Sequence, residues 1–375
     1  MKENTMPKLI ISTCGTSILS NGAPETTRKL LISHANARTL NDIPETARPA
    51  IEAHVKNQLA SFIAAPDLAA LRKQSAELNG IISLYSGVLQ GKQDEHILLT
   101  TDTWLGEQGA SAIASILQSK GFTASNVKRV PGLRTDSVED FRAAMSDVVK
   151  WAVETLPGYK AQGYEVIFNL VGGFKAVQGF MQTLGTLHAD RCVYLFEGTS
   201  DLITLPRLPL KMDSESWVRE NLSAFRRMNK NLPVLVKNVR NVPELFLFTI
   251  DGEATLSEWG QLVWSEAMDA MYKVEVHPSP SAKLVFGPDF LRSVSKLDIP
   301  DVVRINRKVD DLVLYLEKGN NPPSLDFKEI KGVAIKGATF EIDAWRDGAA
   351  KRLFGHFDPQ NKAIFVLDRL DVALH

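Results

Sequence analysis

Cysteine is almost missing: Cys14 and Cys192 are the only two in 375 residues, which excludes a disulfide framework and a cysteine-built structural zinc site. A reducing compartment is therefore expected, with the cytoplasm as the default. Long apolar runs are missing too, none approaching the roughly 18 residues of a membrane span. The N-terminal MKENTMPKLIIS lacks the charged stretch, apolar core and small-residue cleavage site of an export signal. The chain reads as soluble, unexported and without a membrane partner. Neither sign of charge is in excess, with 43 Lys+Arg against 44 Asp+Glu. That balance excludes a disordered polyelectrolyte or an overall basic nucleic-acid coat, so any nucleic-acid site must be local. What the chain does have is length and 44% hydrophobic residues, enough to bury a core in each of two or three domains.

The first 200 residues alternate short apolar runs with helical stretches. Lys-Leu-Ile-Ile-Ser at 8–12 reads as a buried first strand, 43–76 as two helices broken at Pro66, and 96–100 as a second strand followed by a helix over 109–120. A weak strand at 127–130, a long helix over 138–156, a strand at 165–170, a helix over 173–189 and a strand at 191–196 continue the alternation. Such alternation predicts a mostly parallel sheet covered on both faces. From about Leu202 four prolines and a basic patch (Arg226, Arg227, Lys230, Lys237, Arg240) read as a connector. A hairpin turn at Asp251-Gly252 and an amphipathic helix are expected to close the first domain. After Met271 a strand, helices over 288–297 and 300–317, and strands at 338–345, 351–357 and 363–368 make a small α+β unit. The expected division is 1–200, a connector and end of the first domain over 201–270, and 271–375.

In open parallel sheets ligands bind beyond the carboxyl ends of the strands where strand order reverses. Three loops qualify: 12–17, 100–103 and 169–175. The last follows a strand and opens a helix, so backbone N–H groups and the helix dipole can receive a phosphate beside Lys175. The alternative is a tight Gly172-Gly173 turn with a solvated lysine. Neither glycine-bearing loop matches G-x-G-x-x-G or G-x-x-x-x-G-K-[ST], which argues against a dinucleotide dehydrogenase or a P-loop NTPase.

Together, Ile11-Ser12-Thr13-Cys14-Gly15-Thr16-Ser17, Leu98-Leu99-Thr100-Thr101-Asp102-Thr103 and Asn169-Leu170-Val171-Gly172-Gly173-Phe174-Lys175 resemble the CRISPR-associated Rossmann fold (CARF) sensors, over roughly residues 7–265. The resemblance implies an α/β, Rossmann-like parallel-sheet domain and a homodimer that binds a cyclic oligoadenylate, most often cyclic tetra-adenylate, across its two-fold axis. It implies that Thr13, Gly15, Thr16 and Ser17 line one part of the ring and that Gly172, Gly173 and Lys175 hold another, with Asp102 and Thr103 nearby. Some members also cut their activator, and Thr13, Ser17 and Lys175 would serve that role.

In the last 105 residues acidic and basic groups nearly balance, so any RNA site must be focused. Alternation puts Glu341, Asp343 and Trp345 on one strand face and Arg352, Phe354 and His356 on another. A metal-free ribonuclease needs a base for the 2′-OH, a cation for the phosphorane and an acid for the leaving oxygen. Ordinary cross-strand ion pairs would give the same pattern. The order strand, two helices and a meander containing Lys351-Arg352-Leu353-Phe354 looks like the RelE/HigB mRNA interferase toxins, small α+β domains with two helices on an antiparallel sheet. The resemblance implies cleavage of mRNA bound in the ribosomal A site without a metal or other cofactor. It makes Arg352 the transition-state cation with Arg346 and Lys351 secondary, a carboxylate (Glu341 or Asp343) the base, and His356 or the terminal His375 the acid. His277 reads as a surface-loop residue.

The combined expectation is a ribonuclease switched on by cyclic tetra-adenylate. Two rivals remain. A HEPN ribonuclease would use Arg-x4–6-His, a spacing met at Arg28/His34, Arg48/His54 and Arg369/His375. A ligand-controlled transcription factor would need a helix-turn-helix, for which the 226–240 patch is the nearest stretch.

Overall fold

A computed structural model describes residues 6–64, 67–89, 93–134, 136–196, 201–209, 214–330, 337–346 and 350–372. The chain divides into two units, Met1–Lys211 and Met212–His375. No helix among the described residues is long and apolar enough to cross a membrane.

The first unit runs β1 (Lys8–Cys14), α1 (Ser17–Ser20), α2 (Glu25–Ser33), α3 (Arg48–Ala64), α4 (Leu68–Gln74), α5 (Ala76–Leu84), β2 (Glu95–Thr100), α6 (Trp104–Ser119), β3 (Ala124–Arg129), α7 (Val138–Ala161), β4 (Glu165–Asn169), α8 (Lys175–His188), β5 (Arg191–Leu195) and β6 (Leu202–Pro206). Its sheet has the order β3-β2-β1-β4-β5-β6. The first five strands are parallel. Covered strands need apolar residues on both faces, and Leu9, Ile10, Ile11, Leu98, Val166, Ile167 and Phe168 are all fully buried. The chain moves outward from β1 to β3, then returns to β4 on the other side of β1. The switch point therefore lies between β1 and β4, and the crevice opens at their carboxyl ends.

Two elements of this unit differ from expectation. Residues 202–206, read as the start of a connector, form β6, antiparallel to β5. Helix α5 was not foreseen because Gly80 interrupts its helical pattern. A Cβ at Gly80 would stand 2.3 Å from the Asn169 Oδ1 atom, so the glycine lets α5 lie against the end of β4. Pro66, the expected break, lies outside the described residues.

Near the amino end of β2, His96 is fully buried, with Nε2 3.3 Å from the Tyr85 hydroxyl, which donates to Asp94 at 2.8 Å. Burial pushes the imidazole down to about 4, against the pull of Asp94. Below the ordinary value of 6.5 the unfolded chain gains a proton that the folded one refuses, so stability falls with pH between about 6.5 and 4. Unfolding by denaturant is expected to need about 2 kcal/mol less at pH 5 than at pH 7 on account of His96. His96→Phe should remove that part of the slope; an unchanged slope refutes the assignment.

The second unit runs α9 (Ser214–Glu220), α10 (Leu222–Asn229), β7 (Val234–Leu235), β8 (Leu247–Ile250), β9 (Glu253–Leu256), α11 (Glu258–Tyr272), β10 (Leu284–Phe286), α12 (Pro288–Val294), α13 (Ile299–Lys318), β11 (Lys328–Glu329), β12 (Phe340–Trp345), β13 (Lys351–Phe357) and β14 (Phe365–Val372). The hairpin β8–β9 turns at Asp251 and Gly252, both at positive φ, as a two-residue turn matched to strand twist requires. Residues 201–270 were expected to be a connector and the end of the first domain, but the division falls at 211/212. From Ser214 onward the segment belongs with the second unit, where three of the five basic-patch residues meet the acidic face of α13. Arg226 pairs with Asp310 at 2.7 Å, Arg227 with Glu317 at 2.5 Å and Lys230 with Asp311 at 2.6 Å. Tyr272 also donates to Asp310, and Asn306 holds the Tyr272 carbonyl at 3.2 Å. His277 is likewise no loose surface residue: its Nε2 lies 2.8 Å from the Met271 carbonyl and its backbone N–H donates to the Asn306 side-chain oxygen at 2.9 Å.

The remaining sheet has the order β10-β14-β13-β12-β11. Its meander is antiparallel, as expected, while β10 joins β14 in parallel. Helix α13 begins at the Asp298 cap, with Pro300 in its first turn, and ends at left-handed Gly319. Its Ile305, Val309, Leu312 and Val313 pack with Ile342, Leu353, Phe365 and Leu367 of the sheet in one core.

Candidate functional sites

In the first unit, the loops after β1 and β4 meet at the switch point. Thr13, at the end of β1, is buried and its hydroxyl donates to the Gly172 carbonyl at 2.5 Å. Gly173 has φ 93° and backs onto Thr13, while a Cβ on Gly15 would stand 3.3 Å from the Gly173 Cα. Two backbones approach this closely only through glycine. Gln178 of α8 also donates to the Gly172 carbonyl, at 2.9 Å. Thr16 precedes α1 and its carbonyl accepts from Leu19 and Ser20. Lys175 is exposed at the first position of α8.

One residue of this crevice was missed. Glu77 of α5 is fully buried and accepts from the Gly15 N–H at 2.8 Å and from the Ser17 and Ser75 hydroxyls at 2.7 Å each. Its backbone carbonyl accepts from Asn169, which also donates to Ser12 at 3.1 Å. Burial first, and the Glu77 charge second, hold the neighbouring Cys14 thiol well above the ordinary range.

In the third loop, the two residues expected near the ligand are engaged elsewhere. Asp102 accepts from Arg129 at 2.8 Å and from the Gly132 N–H at 3.1 Å, and pairs with Arg38 at 3.0 Å. Burial alone would raise its pKa, but these donors hold it below the usual carboxylate range. Thr103 caps α6, accepting from Gly106 at 3.1 Å. Both side chains are committed to the fold.

In the second unit, the sheet face opposite the helices collects the chemistry. Glu341 and Asp343 stand across from Phe354 and Arg352 in register. Arg352 donates to Glu341 and lies 3.5 Å from Asp343. Arg346 is exposed and holds the other side of Asp343 at 2.6 Å, and Lys328 lies 3.5 Å from Glu341. Trp345 departs from the expected face because the register shifts between Asp343 and Trp345. Its ring lies instead beneath the Arg304 and Lys351 cations, at 5.7 and 5.5 Å, so Lys351 is turned away from Glu341. Phe354 is 1% exposed and is closed to base stacking as it stands.

His356 shares the face and is turned by Asp368, with Nδ1 2.8 Å from a carboxylate oxygen. It lies four residue steps along the strand from Arg352, roughly 13 Å at the backbone. His375, the other expected acid, lies outside the described residues. Arg369, considered from sequence only as half of an Arg/His pair, also belongs to this face, paired across the strands with Phe354. It is 9% exposed, and its Nε and Nη2 atoms have no hydrogen bond among the described residues; an Asp371 oxygen lies 3.8 Å away. A register shift at Phe354/Gly355 sets Arg369 on the same face as Arg352. Its place on strand β14 is not the helix that a HEPN motif requires, and the basic patch of the transcription-factor alternative is paired with α13.

Residues 72–208 match the family model described as CRISPR-associated protein (Cas_APE2256). No curated protein matches the chain. The matched stretch carries Glu77, Asp102, Asn169, Gly172, Gly173 and Lys175, and supports a CRISPR-associated protein.

Proposed function

We propose that the chain is a CRISPR-linked effector whose first unit is a CARF sensor, homodimeric, for a cyclic oligoadenylate, most readily cyclic tetra-adenylate. Its second unit is then a RelE-like endoribonuclease acting on ribosome-bound mRNA in the cytoplasm. The observation that carries the reading is the switch-point crevice, where Gly15, Gly172 and Gly173 bring two loops together inside a region matched by a CRISPR-associated family. Lys175 at the start of α8 supports an anionic ligand there. Thr13, Ser17 and Lys175 are the groups for self-limiting cleavage of the activator, and a ring left intact after prolonged incubation removes that element.

In the second unit, Glu341 takes the 2′-OH proton and Arg352, with Arg369 beside it, stabilises the charge that develops on the phosphorane. Alanine at His356 and at His375 separates the two candidates for the acid. Activation requires that the ring bind the cleaving state more tightly than the resting one.

The test is mRNA cleavage by the full chain in a translating extract and on naked RNA, each with and without cyclic tetra-adenylate. Cleavage only with ribosome and ring together is expected. Ring-dependent cleavage of naked RNA overturns the ribosome dependence, and no cleavage in any arm overturns the enzyme reading.

A further inference from the structure

The switch-point crevice already contains an anion. Glu77 is fully buried, and its carboxylate is held by one backbone N–H and two hydroxyls, those of Gly15, Ser17 and Ser75. No Lys, Arg or His pairs with it among the described residues. Neutral donors converging on a negative group, with no cation, are the chemistry of a phosphate-binding hole. The loop after β4 is shaped to this occupant, since a Cβ at Gly172 would stand 2.2 Å from the Glu77 Oε1 atom. A phosphate cannot join the carboxylate there, because two anions at van der Waals distance in a buried site repel strongly.

We propose that Glu77 is an internal stand-in for a ligand phosphate: its carboxylate fills the Gly15–Ser17–Ser75 hole in the resting protein and is displaced when a phosphodiester enters. The inference rests on the ring-binding reading and names how that site is regulated. Displacement has a structural consequence, because Glu77 opens α5 and its backbone carbonyl is held by Asn169 at 3.2 Å. Asn169 ends β4, and its Oδ1 atom has no hydrogen-bond partner among the described residues. Moving the first turn of α5 therefore loosens the bond between this helix and the end of β4.

Calorimetric titration of the full chain with cyclic tetra-adenylate and with inorganic phosphate tests this on wild type and Glu77→Gln, which keeps the shape and removes the charge. The variant is expected to bind both probes about tenfold more tightly. In the wild-type chain, ring binding should speed amide exchange over residues 76–80, a readout independent of whether any variant folds. Equal or weaker binding of both probes by the folded variant overturns the proposal, as does slower exchange over 76–80. Phosphate bound more tightly by the variant, with no ring bound by either protein, upholds the stand-in and removes the ring as ligand. A ring bound equally by both proteins, with no phosphate gain, removes the stand-in and upholds the ring.

Discussion

Replacing Arg352 with alanine is expected to lower ring-dependent mRNA cleavage by 10²- to 10³-fold, about 3–4 kcal/mol of transition-state stabilisation. The argument begins with register. Arg352 stands opposite Asp343 and one step from Glu341, so its guanidinium reaches both carboxylates. Pairing holds the cation in place on a sheet face, where a phosphorane forming beside Glu341 would draw it away. Because Glu341 and Asp343 are 7% and 4% exposed, alanine also takes one cation from each carboxylate, leaving Lys328 beside Glu341 and Arg346 beside Asp343, and folding must be followed by circular dichroism. Arg352→Lys answers the same question with the charge retained. An ammonium cannot make the planar two-nitrogen contact, so a loss of at least tenfold is expected with ring binding unchanged. Cleavage at the wild-type rate by both folded variants would place the chemistry elsewhere on the face.

Asp310→Ala is expected to cost the second unit about 3–5 kcal/mol, the range for removing one partner of a buried ion pair. Arg226 and Asp310 are 1% and 2% exposed, and Tyr272 adds a donor to the same carboxylate. Without Asp310 the Arg226 guanidinium keeps the Pro278 carbonyl, at 2.6 Å, and the Tyr272 ring beneath it, but no carboxylate among the described residues pairs with this buried cation. Urea unfolding followed by tryptophan fluorescence measures the loss, since Trp264 packs against Tyr272 at 5.7 Å. The double variant Arg226→Met with Asp310→Leu removes both charges and should recover most of it. A midpoint unmoved by Asp310→Ala would show that the pair does not hold α10 to α13.

Much of the fold was legible because hydrophobic period and turn chemistry agree with it. The runs at 8–12, 96–100 and 165–170 became β1, β2 and β4, and Asp251-Gly252 became the turn it spells. Legibility failed where one local exception served a distant contact. Gly80 weakens the helical pattern of α5, yet it is there to pass Asn169; with α5 unread, Glu77 went unseen. Arg369 was weighed only as half of an Arg/His pair in a strand-like stretch, and the register shift at Phe354/Gly355 hides from simple alternation which face it shares. Trp345 was placed on the wrong face for the same kind of reason. The basic patch at 226–240 looked like a solvated connector because its acidic partners lie some 80 residues further on, as with Arg226 and Asp310, separated by 84 positions. Ring chemistry and RNA cleavage were read through family resemblance, and the geometry gives those readings residues to test.

That separation also has a consequence in time. A translating ribosome adds about 5–20 residues per second, so Arg226 leaves the peptidyl transferase centre several seconds before Asp310 is made. During that interval Arg226 of α10 has no counter-charge and the Tyr272 hydroxyl at the end of α11 lacks its Asp310 acceptor. The sheet bearing Arg352 comes later still, so a truncated product ending before α13 lacks both the acidic partners of α10 and that sheet.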